Sequence, residues 1–234
     1  MTSPSRGRAR IGVLVPFTNT NLEPDLMMLR PPGVSLHFAR AGGYDPEQTP
    51  DSQQMRGFAL AGLEGVVELL AAARPDLILY GCTSATLAHG PRFDREFTES
   101  ISEASGVPAV TAAGALVESL ETRGIKRVAF SSPYVEQLNQ EAIAFLAACG
   151  VETVSSAYVG SDLGNDEQGQ LTPDQVLDLG VRADSQQAQA LVLSCTDMRA
   201  VEVVDALEER LGKPVVTSNR SLMEAALRRL SLGG

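Results

Sequence analysis

LILYGCT at 77–83 recurs in the chain as LVLSCT at 191–196, and this pair of stretches decides the fold. Each stretch begins with a short apolar run, as in a parallel strand that is covered on both faces. Each ends in a cysteine that is followed by a threonine. Two nearly identical buried strands in one chain predict two similar halves built on the same plan.

Further landmarks recur in the same order along the chain. The matched pairs are RIGVLVPF at 10–17 with RVAFSSPY at 127–134, GV at 33–34 with GV at 150–151, TPD at 49–51 with TPD at 172–174, and PAVT at 108–111 with PVVT at 214–217. Such a series indicates an internal duplication whose halves are related by a pseudo-twofold axis.

Short apolar runs alternate with longer helical patterns. We predict strands over 11–15, 34–39, 77–80, 109–111, 127–131, 153–157, 191–194 and 215–217. We predict helices over 51–73, 91–104, 112–122, 135–148, 173–183, 199–211 and 218–230. This alternation is typical of parallel sheets with right-handed crossovers. The predicted fold is therefore α/β, with two parallel-sheet, Rossmann-like halves and an active site in the cleft between them.

The boundary between the halves is predicted near residue 111. In a duplication of this kind the last helix often packs back on the first half. We therefore assign 1–111 plus 218–234 to the first half and 112–217 to the second.

Composition and charge disfavour several classes of partner and of site. The 234 residues carry a formal net charge of −10, which disfavours nucleic acid and anionic membranes. No apolar run is long enough to cross a bilayer, and no export signal is recognisable, so we expect a cytoplasmic protein. Three cysteines do not make a disulfide framework. With two histidines and no CxxC pattern, we expect no metal site.

The chemistry is expected at the carboxyl ends of the strands, where open α/β sheets bind ligands. In the first half these loops hold Pro16 with Asn19 and, further on, Cys82. In the second half they hold Tyr134 and Cys195. A pseudo-twofold axis would bring all four loops around one cleft, with the two cysteines on opposite faces of a ligand.

Each of these cysteines precedes a predicted helical stretch. Backbone N–H groups there would favour the thiolate, which is the nucleophile and the base. The hydroxyls and amides of Thr83 and Thr196 could hold a carboxylate or an oxyanion. Two buried cysteines that merely end two strands are the alternative. Their equivalent positions favour function, and alkylating agents are then expected to reach Cys82 and Cys195 before Cys149.

The remaining polar candidates have simpler alternatives. The neutral amide of Asn19 can donate to a carboxylate, although asparagine is also a common turn residue. The Tyr134 hydroxyl can do the same, or its ring can simply pack. Cys149 has no counterpart in the first half, so it is interpreted as structural. His37 is assigned to a strand interior, and His89, although close to Cys82, is interpreted as a packing or surface residue.

From 10 to 230 the chain resembles the aspartate/glutamate racemase superfamily, and within it the branch of maleate cis–trans isomerases and arylmalonate decarboxylases. The resemblance rests on VPxxNT at 15–20, Cys82, AAGAL at 112–116, PY at 133–134, NxExGxLxP at 165–173, SC at 194–195 and GKPVVT at 212–217. It implies that Cys82 and Cys195 are catalytic and that Asn19, Tyr134 and Asn165 bind carboxylates.

The resemblance also implies a reaction. A Cys82 thiolate would add to maleate, the central bond would rotate, and fumarate would leave, with Cys195 as acid/base and no cofactor. A small dicarboxylate is then the partner, and a homodimer is expected because the superfamily commonly forms dimers. Arylmalonate decarboxylases carry glycine at the first cysteine position, so Cys82 disfavours that activity. An amino-acid racemase with a two-cysteine pair and a non-catalytic ligand-binding protein remain alternatives.

Overall fold

The computed structural model describes residues 9–42, 47, 49–61, 63–159 and 162–232. Its strands are β1 Ala9–Pro16, β2 Val34–Ala41, β3 Leu77–Tyr80, β4 Ala109–Thr111, β5 Arg127–Ser132, β6 Glu152–Tyr158, β7 Ala190–Leu193 and β8 Val215–Thr217. Its α-helices are α1 Leu22–Leu29, α2 Ser52–Leu60, α3 Glu64–Ala71, α4 Thr83–Leu87, α5 Pro91–Ser105, α6 Ala112–Thr122, α7 Glu136–Ala148, α8 Asn165–Gly169, α9 Pro173–Ala183, α10 Val204–Leu211 and α11 Ser218–Arg229.

The strands form two four-stranded sheets of the same order, β2-β1-β3-β4 and β6-β5-β7-β8. All pairings in both sheets are parallel. Their apolar central strands are covered on both faces, as the continuous apolar runs in the sequence predict. The prediction of an α/β fold with two similar parallel-sheet halves is confirmed.

The register of the two sheets repeats the register of the sequence. Gly81 N–H donates to the Leu14 carbonyl, and Ser194 N–H donates to the Ser131 carbonyl in the same place of the second sheet. The capping hydroxyls recur too, because Thr111 caps α6 and Thr217 caps α11. The duplication is therefore visible in individual hydrogen bonds as well as in strand order.

The helix predicted over 51–73 is wrong, since α2 and α3 occupy that span as separate helices. Ala61 has an extended backbone that ends α2, and the glycines at 57, 62 and 65 weaken a continuous helix. Gly62 itself lies outside the described residues. The TPD match also fails in detail, because Asp51 caps α2, which lies beside the pocket, whereas Thr172 caps α9, which packs on the second sheet.

Other sequence-based boundaries differ less. The helix predicted over 199–211 begins as a short 3₁₀ helix at Val201–Val203. Three short helices, α1, α4 and α8, were not among the predicted ranges. Each has at most eight residues, which is too short to show a clear apolar period.

Two clusters of buried apolar side chains organise the core. The larger cluster runs through both halves, from Leu14 in β1 to Leu191 in β7. The smaller one joins the first sheet to α1 and α11, with Leu26 packed near Met223. The packing of α11 against the first sheet agrees with assigning the last helix to the first half. Ala112 of α6 belongs to the same cluster, so the division at 111 stays a prediction.

The turn after β3 allows a close approach that fixes the position of the next residue, Cys82. A side-chain carbon on Gly81 would lie 2.1 Å from Leu22 Cδ2 and 3.0 Å from the Leu14 carbonyl oxygen. Only glycine fits there without displacing α1 or β1. In the part of the chain that the structure describes, no helix has the length and apolar character needed to span a membrane.

Candidate active site

A pocket with about 390 Å³ of empty space, including its open mouth, lies at the carboxyl ends of the central strands of both sheets. Its walls are Pro16, Thr18, Asn19, Pro50, Met55, Cys82, Thr83, Ser84, Tyr134, Asn165, Gln168, Cys195, Thr196 and Asp197. All eight residues that the sequence and its resemblance assign to a site are among them. The cleft between the halves therefore brings the expected set together.

Cys82 lies between the end of β3 and the first turn of α4, and only 7% of it is exposed. Its sulfur is 3.7 Å from Ser84 Oγ and receives hydrogen bonds from the backbone N–H groups of Ser84 and Ala85. Burial nevertheless dominates and raises the pKa of the Cys82 thiol to about 11. Cys82 is therefore a neutral thiol at pH 7.

Cys195 occupies the equivalent position after β7 and is 8% exposed. The Asp197 N–H donates to its sulfur over 3.3 Å, and the Tyr134 hydroxyl also hydrogen-bonds to it. Burial, followed by the negative charge of Asp197, raises the pKa of the Cys195 thiol well above its usual range. A turn rather than an α-helix follows Cys195.

The expectation of two thiolate-like cysteines is therefore wrong, because burial raises the pKa of both thiols. The helix-terminal N–H groups are present at Cys82, and they act in the predicted direction. Burial of the thiolate raises the pKa by more than these hydrogen bonds lower it, so desolvation decides the sign of the pKa shift.

Asn19 is held in one orientation. Its Oδ1 accepts hydrogen bonds from the backbone N–H groups of Asn21, at 3.0 Å, and Leu22, at 2.8 Å. Because N–H groups can only donate, the Oδ1 position is fixed and the amide nitrogen must point the other way. That nitrogen donates to Thr196 Oγ1 over 3.0 Å, and one of its hydrogens remains for a ligand.

The two threonine hydroxyls have partners within the protein. Thr83 Oγ1 donates to Ser218 Oγ over 3.0 Å, and Thr196 Oγ1 donates to the Gly81 carbonyl over 2.8 Å. Among the hydrogen bonds of the described residues, none uses the backbone N–H of Thr83 or of Thr196. Both residues are at least 97% buried, and buried N–H groups are rarely left unpaired, so these two are candidate donors to a ligand oxygen.

Tyr134 contributes a neutral hydrogen-bond donor to the pocket near both cysteines. Its hydroxyl is 3.3 Å from Ser194 Oγ and also hydrogen-bonds to Thr83. Burial, with the nearby Cys195 and Cys82, raises the pKa of the phenol well above its usual value. Since the raised pKa keeps the phenol protonated at neutral pH, its hydroxyl can donate to a carboxylate.

Two short helices close the pocket from the sides. Asn165 and Gln168, one turn apart on α8, face it, while Pro50 and Met55 reach it from the start of α2. Gln168 and Met55 were not among the predicted site residues. A glutamine or methionine in a helical pattern gives no distinctive sequence signal, because either is common on ordinary helix faces.

Asp197 is the acidic member of the pocket and was also missed. Its Oδ1 accepts from Thr20 N–H at 2.9 Å, from Asn21 N–H at 3.1 Å and from Asn21 Nδ2 at 3.1 Å. Burial still raises its pKa to about 6. The sequence signal was its place two residues after Cys195 in a strand-end loop.

The pocket offers an anion hydrogen-bond donors rather than a formal positive charge. No lysine, arginine or histidine lines it among the residues that the structure describes. Nor does the described chain contain a group of three or more histidine, cysteine, aspartate or glutamate side chains that could hold a metal ion. The site is compact and rich in hydrogen-bond donors, and it carries two thiols and the Asp197 carboxylate.

The other singled-out residues lie outside this pocket. His89 hydrogen-bonds to the Arg56 carbonyl at 3.1 Å and stacks on Phe93, with ring centroids 3.8 Å apart. His37 lies within β2, where its Nε2 is 3.1 Å from Ser35 Oγ. Cys149 ends α7 and is part-buried. The packing interpretations of all three agree with these positions.

Three comparisons with known proteins agree on one family. A family model described as arylmalonate decarboxylase matches residues 11–234. The maleate isomerase of Nocardia farcinica is 30% identical over 238 residues, which cover 97% of this chain and 92% of that protein. The arylmalonate decarboxylase of Bordetella bronchiseptica is 28% identical over 213 residues, covering 88% of this chain and 81% of that protein.

A solved structure adds a chemical detail. A mutant of the Nocardia farcinica maleate cis–trans isomerase, with a covalently bound succinylcysteine intermediate, matches this fold with a TM-score of 0.87. The two chains are 28% identical, and the match covers 96% of this chain and 93% of that one.

Proposed function

The chain belongs to the arylmalonate decarboxylase family, and on that premise we propose that it is a cofactor-independent maleate cis–trans isomerase. One observation carries the proposal: two cysteines at equivalent strand ends share one small pocket lined by neutral donors. A relative that holds a succinylcysteine intermediate supports covalent addition of a cysteine to the double bond.

The first step forms a thioether. Cys82 first loses its proton to solvent, because it is a neutral thiol at pH 7, and the thiolate then bonds to one alkene carbon of maleate. The π-electron pair moves to the neighbouring carbon and into its carboxylate as an enediolate. The unpaired N–H groups of Thr83 and Thr196, with the Asn19 amide, are suited to hold the developing negative charge.

The second step rotates the substrate. The central carbon–carbon bond is now single, so one carboxylate can swing to the opposite side. When the enediolate electrons re-form the double bond, the carbon–sulfur bond breaks and fumarate leaves as Cys82 recovers its electron pair. Cys82 then takes a proton back from solvent, so atoms and charge balance without a cofactor.

Cys195 serves as acid/base from the other face. Its thiol can lend a proton to the carbon beside the thioether carbon and take that proton back before elimination. The Tyr134 hydroxyl that bonds to its sulfur supports the anion during the exchange. Asn165 and Asn19 bind the substrate carboxylates through amide hydrogens, which add no charge to the pocket.

The test is proton NMR of the purified protein in D₂O under reducing conditions. Maleate should give fumarate, and Cys82→Ala should abolish that conversion. Cys195→Ala should lower it strongly, while the matched variant Cys149→Ala, outside the pocket, should leave it near the wild-type rate. Mass spectrometry of Cys195→Ala with maleate should show Cys82 carrying the mass of one maleic acid.

The alternative functions predict different results in the same NMR assay, run with maleate and with each aspartate enantiomer. Deuterium entering the α-carbon of either aspartate enantiomer, with no fumarate from maleate, would make the protein an amino-acid racemase. Maleate binding without turnover, unchanged by Cys82→Ala, would make it a ligand-binding protein. A cytoplasmic location and a homodimer stay predictions, and light scattering during gel filtration checks the second.

A further inference from the structure

Three walls of the pocket meet at one polar junction that the proposed chemistry does not use. The first wall is the loop after β1, which carries Asn19, and the second is the loop after β7, which carries Cys195. The third is α8, which carries Asn165. Asn21 and Asp197 join all three walls through a continuous set of hydrogen bonds.

The amide nitrogen of Asn21 contacts both of the other walls. Its two hydrogens are shared among three acceptors, which are the Gly169 carbonyl of α8 at 2.9 Å, the Asp197 carbonyl at 2.9 Å and Asp197 Oδ1 at 3.1 Å.

Asp197 completes the junction from the second half. Its Oδ1 accepts from the N–H groups of both Thr20 and Asn21, and its carboxylate packs against Gly169. A side-chain carbon on Gly169 would lie 3.0 Å from Asp197 Oδ2. This contact is tight, so a larger residue at 169 would require the Asp197 side chain to shift.

We propose that Asn21 and Asp197 form a clamp that holds the pocket closed, as positioning residues for Asn19 and Cys195. The clamp acts on the catalytic group directly, because Asp197 N–H donates to the Cys195 sulfur. It acts on Asn19 through the same loop, where Asn21 N–H holds Asn19 Oδ1. Its kinetic consequences rest on the isomerase function proposed above, whereas its effect on access to the cysteines does not.

Access to the cysteines gives the first test. Iodoacetamide labels the protein without substrate, and peptide mass spectrometry gives the rates at Cys82 and Cys195 relative to Cys149, an internal reference outside the pocket. Asn21→Ala and Asp197→Ala should raise these relative rates about tenfold, as expected for the loss of hydrogen bonds to a charged group. Asp197→Asn keeps Oδ1 as an acceptor but removes the charge that raises the Cys195 pKa, so it is read at Cys82, where labelling should stay within about threefold of wild type.

A pH profile separates the clamp from a merely structural brace. Asn21→Asp replaces the donor by a second carboxylate facing Asp197, which opens the clamp at pH 8. At pH 5.5 one proton shared by the two carboxyl groups restores a donor, so labelling should return towards wild type. Asn21→Ala has no such proton, so its clamp should stay open at both pH values. Each relative labelling rate is divided by the wild-type rate at the same pH.

Other charges near the clamp are common to both variants. They are Asp25 on α1, Asp166 on α8, the thiols of Cys82 and Cys195, and Arg40, which donates to the Asn19 carbonyl over 2.6 Å. Their titration therefore cancels in the ratio of Asn21→Asp to Asn21→Ala.

Turnover gives the last readout. When kcat/KM for maleate is divided by the wild-type value at the same pH, the ratio should depend on pH with Asn21→Asp but not with Asn21→Ala. Relative labelling rates that stay at the wild-type level in both Asn21 variants, or an Asn21→Asp variant that does not respond to pH, would overturn the clamp. A wild-type protein that makes no fumarate but shows the predicted labelling would instead overturn the isomerase and leave the clamp standing.

Discussion

Replacing Asp25 by asparagine should stabilise the protein at neutral pH, because a buried charge is removed while the shape is kept. Asp25 lies in the first turn of α1 and is 2% exposed. Its Oδ2 accepts from Asn219 Nδ2 over 2.7 Å, and an asparagine oxygen can accept the same bond. Burial raises its pKa from 3.8 to about 6, against the opposing effect of that hydrogen bond.

The raised pKa fixes both the size and the sign of the effect. Raising the pKa from 3.8 to about 6 corresponds to an upper limit of ~3 kcal/mol. Since the folded state binds the proton more tightly, the wild type loses this stability as pH rises from about 4 to about 6. The gain in Asp25→Asn should therefore be larger at pH 7.5 than at pH 5 by about 1.4 kcal/mol. Loss of a favourable charge at the start of α1 offsets ~0.3–1 kcal/mol.

Urea unfolding followed by far-UV circular dichroism is the suitable assay, because the chain has no tryptophan. Asp205→Asn is the matched control, since Asp205 is also in a first helical turn but exposed. That variant should be neutral or slightly destabilised. A gain in Asp25→Asn that is the same at both pH values, or a loss at pH 7.5, would refute the reasoning.

Three further predictions concern the pocket and its support. Because burial raises the pKa of Cys82 to about 11, log kcat/KM for maleate should rise with pH with a slope of about one between pH 7 and 9, and a flat profile would contradict this. In the wild type without substrate, iodoacetamide should modify Cys149 before Cys82 and Cys195, the reverse of the sequence-based expectation; peptide mass spectrometry decides the order. Gly81→Ala should cost ~1–3 kcal/mol in urea unfolding and reduce turnover, whereas Gly57→Ala, with open space around it on α2, should gain ~0.5–1 kcal/mol.

The candidate site could be predicted where each residue carries its own signal. Cys82 and Cys195 stand out because a rare residue type recurs at the end of a repeated apolar run. Asn19 and Tyr134 follow from their places after β1 and β5. Gln168 and Met55 carry no comparable signal, and they enter the pocket only because α8 and α2 fold over the strand ends.

The polar clamp illustrates what local sequence leaves out. Asn21 and Asp197 are separated by 176 residues, and each in isolation has the character of a loop residue. Their hydrogen bonds exist because the duplication places the loops after β1 and β7 on the same side of the cleft. Long-range contacts of this kind depend on how the halves pack, which no short stretch specifies.

The sequence by itself determined the fold class, the repeat and the pair of cysteines, because apolar runs and helix caps are local and act wherever they occur. It placed β3 at Leu77–Tyr80 and α6 at Ala112–Thr122 without error. Only the tertiary structure decided the protonation of the thiols and the break between α2 and α3. Protonation depends on how much water packing removes from the sulfur, and desolvation is a property of the whole pocket rather than of its residues one by one.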